Sequence, residues 1–299
     1  MTLHPITPDT DITGPAVSEA TEPSDTAVLL MRLAAPIQSW GQAGVFNRRD
    51  TADRPTKSGI IGLLAAAQGR ARTDPIADLG DLQLGVRVDQ PGTLLRDYHT
   101  ASDYRGLPLL SASLNAKGLQ RPTGPVKHTH VTQRFYLQDA VFLAAVAGPR
   151  ALIDTLRHAL AHPAFPLALG RRSCVPTQPL LLADRTHTTV TAALRNTPWL
   201  ASEHTKDRLR KHGKLPAVVT LATTVDASTQ EHDPVDEESR HVNRPEGQVD
   251  VADDQPLSFD PLHRDRTTRT VLHGWVDIPT GEPDDTGHTD HDPFALLGW

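Results

Sequence analysis

The chain of 299 residues holds a single cysteine, so no internal disulfide can form and a disulfide-stapled scaffold is excluded. Aromatic residues make up only 4% of it and the hydrophobic fraction is 38%, while prolines number 25. Part of the length is therefore expected to stay outside a packed core. No apolar run approaches the ~20 residues that span a bilayer. No basic region followed by an apolar stretch marks a secretory signal at the N-terminus. These absences predict a cytoplasmic protein without membrane contact. A phosphate loop of the G-x-x-x-x-G-K-[ST] type is also missing, which argues against nucleotide hydrolysis.

What the chain does have is charge, unevenly placed. The formal net charge of −6 hides a division. Residues 1–26 carry −5 and residues 226–299 carry −13, while residues 27–225 carry +12. A basic body between acidic ends fits a polyanionic partner, although the same charge also serves solubility.

Residues 1–26 read as a disordered acidic extension. Order is expected from "AVLLMRLAAP", a buried strand, followed by "TKSGIIGLLAAAQG". There Thr56 or Ser58 caps a helix that Gly69 ends. "LQLGVRVD" (82–89) alternates apolar and polar residues as a half-buried strand does. "FYLQDAVFLAAVAG" ends in another strand, "PRALIDTLRHALAHP" (149–163) has a helical apolar stripe, and "QPLLLAD" reads as a last strand. The order β-α-β-β-α-β predicts an α+β, ferredoxin-like (RRM-like) body over 27–184. An insertion at about 93–135 interrupts it and reads as a projecting basic arm, a thumb. Residues 185–280 are expected to form a small β-rich C-terminal part, with strands in "LPAVVTLATT" and "RTVLHGWVDIP" and an acidic loop at about 226–256. Residues 281–299 read as an acidic tail.

Several motifs carry chemistry. Arg48 and Arg49 precede the helix start at "PTKSG", where free N–H groups with Lys57 and Ser58 could seat a phosphate. The plain alternative is a Ser/Thr helix cap. Trp40 is a core anchor or a stacking surface. "LRDYHTASDYRG" places Asp97 and His99 on one strand face and Arg96 and Tyr98 on the other, which is a contact strip or an acid–base pair. The His-x-His in "KHTHVT" and the histidines of "GHTDHD" lack companions at zinc-finger spacing, so no metal or cofactor is expected. In "LGRRSCVP", Gly170 permits a tight turn and Arg171 and Arg172 offer two guanidinium forks for phosphate. Cys174 there is read as packing rather than as a nucleophile.

The stretches "LLMRLAAPIQSWGQ", "RPTKSGIIGLLAAAQG", "LRDYHT", "DYRG" and "LGRRSCVPTQPL", in this order, closely resemble the Cas-five family subunit of the type I-E CRISPR Cascade complex, in the RAMP superfamily. "PLSFDPLHRDRTTRTVLHGWV" resembles the family's ending. The resemblance implies a non-catalytic RNA-binding subunit that caps the 5′ handle of crRNA. Its thumb would contact the CasC backbone subunit, its body the CasA large subunit, and target DNA only indirectly within the complex. The glycine-rich loop of that superfamily maps to Gly170, Arg171, Arg172 and Ser173. The RNA-binding set expected is these four with Arg48, Arg49, Lys57, Ser58, Arg96, His99 and Arg105. Thumb contacts are expected at Lys117, Arg121 and Lys127. The alternative is a metal-independent endoribonuclease cutting CRISPR repeat RNA, as type I-C relatives do.

Overall fold

The computed structural model describes residues 26–41, 47–103, 115–119, 121, 128–183, 187–227 and 247–282. The acidic extension, most of the acidic loop and the acidic tail lie outside these, as do Arg105 and Lys127.

A six-stranded antiparallel sheet is the backbone of the molecule. Its strands are β1 (Thr26–Ala34), β4 (Gln83–Gln90), β7 (Val141–Pro149), β8 (Val218–Asp226), β9 (Gln248–Ser258) and β10 (Asp265–Pro279), in the spatial order β1-β7-β4-β8-β10-β9. Helices α1 (Lys57–Ala67) and α3 (Arg150–Ala161) pack on one face, over Leu29, Met31, Leu33, Val86, Phe142 and Val146. The opposite face is covered by α4 (Val190–Asn196) over Val28, Leu30, Leu143 and Ala145. Short α2 (Ala77–Gly80) and α5 (Glu203–Lys211) complete the helices. A second sheet joins β2 (Ile37–Gln38), β3 (Arg48–Arg49), β5 (Thr93–Asp103) and β6 (His128–Gln138), with β6 between β5 on one edge and β2 and β3 on the other.

The helix at "TKSGIIG" is capped as its sequence asks: Gly59 N–H donates to the Thr56 hydroxyl at 3.3 Å. At its other end Gly69 adopts φ +78°, which lets Arg70 N–H reach Ala65 O at 2.9 Å.

Four features differ from the sequence expectation. First, the strand expected at "QPLLLAD" shrinks to one bridge between Met31 and Leu181, because Pro176 and Pro179 remove N–H groups from that stretch. Second, the 93–135 insertion is not without regular structure: β5 and β6 form an antiparallel arm from Thr93↔Gln138 to Asp103↔His128. Third, β4 is buried on both faces. Arg87 and Asp89 are fully enclosed and paired at 2.7 Å, and Arg87 also donates to Leu194 O, Thr197 O and Pro198 O. Fourth, residues expected in an acidic loop make up β9, and the sheet runs from β4 into β8 across residue 184 without a break.

One ion cluster ties these parts together. Lys57 Nζ lies 3.1 Å from Asp226, the Lys57 amide donates to Asp254 at 2.6 Å, and Arg269 bonds both carboxylates. All four side chains are nearly or wholly buried.

Candidate nucleic-acid interface

The glycine loop is placed from below by its apolar neighbours. Leu169 and Cys174 are in the core, and Leu169 N–H donates to Cys174 O at 2.8 Å, which pinches 170–173 into a projecting turn. Gly170 sits at φ +91°, and a Cβ there would lie 1.7 Å from Ser39 O. Only glycine allows the loop to press against the strand end in that way. Cys174 is enclosed, and burial pushes its thiol pKa up, so it packs the loop and is not an activated nucleophile.

The two arginines of the loop do different work. Arg171 turns back over the Tyr136 ring, its guanidinium carbon 4.7 Å from the centroid, and donates to Phe135 O at 3.1 Å and Arg49 O at 2.8 Å. It holds loop, β6 and β3 in one piece. Arg172 and Ser173 are exposed at the tip. The Arg48–Arg49 pair divides in the same way: Arg48 stacks on Phe135 at 4.7 Å and pairs with Asp50 at 2.9 Å, while the Arg49 side chain is exposed.

Between this loop and the outer face of α1 runs an open groove of about 1380 Å³. Its floor is small, with Gly59, Gly62, Ala65 and Ala66 of α1, and Phe165 and Phe259 stand on its sides. Trp40 is fully buried beneath it, where a Cβ at Gly59 would meet the indole at 2.8 Å; it is the core anchor. Six arginines line the groove: Arg49, Arg70, Arg72, Arg171, Arg172 and Arg264. No carboxylate is among its lining residues. Arg70 is bound to Asp78, whose pKa that hydrogen bond lowers. Arg49, Arg72, Arg172 and Arg264 are exposed and have no ion-pair partner among the described residues. A groove larger than most small-molecule pockets, open and lined by cations of one sign, suits a phosphate chain with bases turned inward.

The anion seat expected at the start of α1 is different. Lys57 is buried and paired, and the protein's own Asp254 occupies the amide at that helix end. Lys57 is therefore removed from the exposed set, while Ser58 lines the groove, half-buried. The arm keeps the predicted alternation. Arg96 and Tyr98 share one face with Phe135 and Gln133 as partners, while Asp97 and His99 share the other with Arg134 and Thr132. His99 Nδ1 lies 3.3 Å from the Thr132 hydroxyl, and Tyr98 is 65% exposed. These residues are on the arm and not among those lining the groove. Lys117 is exposed on a turn closed by Asn115, and Arg121 is exposed.

Sequence reading missed Arg70, Arg72 and Arg264. "GRAR" directly after the helix-ending Gly69 was a usable signal, because basic residues there line the same helix end.

Residues 28–272 match the CRISPR-associated protein (Cas_Cas5) family. The chain belongs to this family. Over 172 residues it is 37% identical to the CRISPR system Cascade subunit CasD of Escherichia coli (strain K12), covering 52% of this chain and 69% of that protein. A chain of a solved CRISPR RNA-guided surveillance complex superposes with a TM-score of 0.62 at 35% identity, over 84% of this chain and 91% of that one. A crystal structure of a Cas protein gives a TM-score of 0.56 at 30% identity, over 86% and 100%. The Cas5 relationship thus spans both sheets and includes the groove-lining loop. Among the described residues no helix is long and apolar enough to cross a membrane.

Proposed function

We propose that this Cas5-family chain is a Cascade-type subunit that seats the 5′ handle of crRNA in the arginine groove and cuts no RNA itself. The observation that carries the reading is the carboxylate-free groove with four unpartnered arginines, built around the loop in which Gly170 forces close contact with Ser39. Arg49, Arg72, Arg172 and Arg264 hold phosphates, and the small floor of α1 leaves room for bases beside Phe165 and Phe259. Arg171 and Arg48 are positioning residues for that surface.

The core is read as ferredoxin-like. The adjacent order β1-β7-β4, with α1 and α3 on one face and the Leu181 bridge on the free edge of β1, supports that reading. The arm β5–β6 serves as the thumb toward a CasC-type backbone subunit, and the body faces a CasA-type large subunit, in the cytoplasm. His99, with a threonine hydroxyl as its nearest polar side chain, carries no acid–base pair that would favour the nuclease alternative.

The test is co-expression with the neighbouring Cascade subunits and a repeat-spacer RNA. Arg49→Glu/Arg172→Glu should lose handle protection and assembly, with the salt slope of RNA binding lower by about 2 for the two phosphate contacts removed. Normal assembly of that variant would overturn the proposal. A defined cut of repeat RNA by the pure protein in EDTA, lost on His99→Ala, would establish the nuclease instead.

A further inference from the structure

We propose that the acidic N-terminal segment, residues 1–25, occupies the arginine groove when RNA is absent and competes with RNA for it. The inference rests on the reading of the groove as an RNA seat. Its first support is charge complementarity. Asp9, Asp11, Glu19, Glu22 and Asp25 stand in a stretch with no Lys or Arg. The groove offers Arg49, Arg72, Arg172 and Arg264 without carboxylate partners among the described residues. Elsewhere in the body, buried cations have carboxylates of their own, as Lys57, Arg87 and Arg269 do. The groove is where compensation is missing.

The second support is reach. The segment joins the body at Thr26, and β1 runs nine residues from there, roughly 30 Å at ~3.3 Å per residue. The other end of that strand leads to Ser39, whose N–H donates to Leu169 O at the groove wall at 3.1 Å. A 25-residue chain without regular structure has an r.m.s. span of about 25–30 Å. Span and chain length therefore match, the condition under which a tethered ligand reaches its highest effective concentration, on the order of millimolar. Five carboxylates at that concentration suffice to neutralise exposed arginines at low salt. They yield to an RNA, whose phosphates are more densely charged and whose binding releases condensed counterions.

The experiment uses the full chain and its charge-neutral variant D9N/D11N/E19Q/E22Q/D25N. Without RNA, phenylglyoxal modification of Arg49, Arg72, Arg172 and Arg264 is followed by mass spectrometry. At 20 mM salt the variant should be modified ~3-fold faster or more, and the difference should vanish near ~0.5 M, where the screening length falls to a few ångströms. Binding of a handle RNA oligonucleotide should be ~10-fold tighter in the variant at low salt and converge with the parent at high salt. Equal modification rates at low salt overturn the inference. If RNA then still binds and Arg172→Glu abolishes it, the RNA reading of the groove stands alone. Unequal rates with no RNA binding by either chain keep the contact and remove the RNA reading. Unequal rates with equal RNA affinity overturn the competition.

Discussion

Asp254 accepts the backbone N–H of Lys57 at 2.6 Å, across 197 residues of sequence. The carboxylate sits at the positive end of α1, and Arg269 binds its other oxygen at 2.6 Å. The contact makes the C-terminal strands part of the body, because the floor of the groove is the same helix.

Asp254→Ala therefore leaves Arg269 and the α1 amide without their acceptor in a buried place. A loss of about 3–5 kcal/mol is expected, against less than ~1 kcal/mol for Asp53→Asn, whose partner Arg54 is near the surface. Urea unfolding at neutral pH compares the two. Equal losses would mean that the cluster does not join the two parts.

Arg171 and Arg172 should separate stability from binding. Arg171→Ala removes two hydrogen bonds to carbonyls and the contact with Tyr136, a loss of about 2–3 kcal/mol in thermal or urea unfolding. Arg172→Ala should leave stability within ~0.5 kcal/mol. It should lower the salt slope of RNA binding by about 1. The reverse pattern would exchange their roles.

Gly170→Ala should be the most harmful small change in the loop. The φ of +91° is strained for any Cβ, and the methyl would overlap Ser39 O. Handle binding should drop at least ~10-fold, as a misplaced binding group costs. Parent-like affinity in a filter-binding assay would show that the loop position is not needed.

Arg87→Met should cost about 3–5 kcal/mol by leaving Asp89 buried and charged. The double variant Arg87→Met/Asp89→Leu should recover only part of this, because Leu194 O, Thr197 O and Pro198 O still lose their donor. Full recovery in denaturant titrations would refute that account of the clasp.

Cys174 supplies a pH test. Burial holds its thiol pKa above the ordinary value, so the folded chain should resist thiol reagents at pH 8 and react only when unfolded in urea. The sign for stability follows. The thiol's contribution is complete below the unfolded pKa of ~8.5 and declines as pH rises past it. Cys174→Ala should abolish that decline. Rapid labelling of the native chain would place the thiol outside the core.

Much of the fold was legible where one face is wet and the other dry. The stripe of Ile153, Leu156 and Leu160 and the capped "TKSGIIG" appear as read. Alternation misled at β4, since a polar position was taken for a solvent face. Arg87 and Asp89, two apart on one side of a strand, neutralise each other and need no water. The same blindness hid the burial of Lys57, whose acids lie far away in sequence. The arm gave no hydrophobic signal because Leu94 and Tyr98 are both 65% exposed. Strand β9 looked like linker because it is an edge, with Asp250 and Asp253 exposed along it. In the groove, the glycine loop was readable from its own residues, whereas Arg264 joins it only through the long return of β9 and β10.

The Lys57 cluster also sets the order of events during synthesis. Helix α1 leaves the ribosome 169 residues before Asp226 and 197 before Asp254, which is about 10–40 s at ~5–20 residues per second. Through that interval the nascent chain has an uncompensated Lys57 and a groove lacking its Phe259–Arg264 wall. The RNA seat is therefore a property of the nearly finished chain, closed to cellular RNA until the last strands have been made.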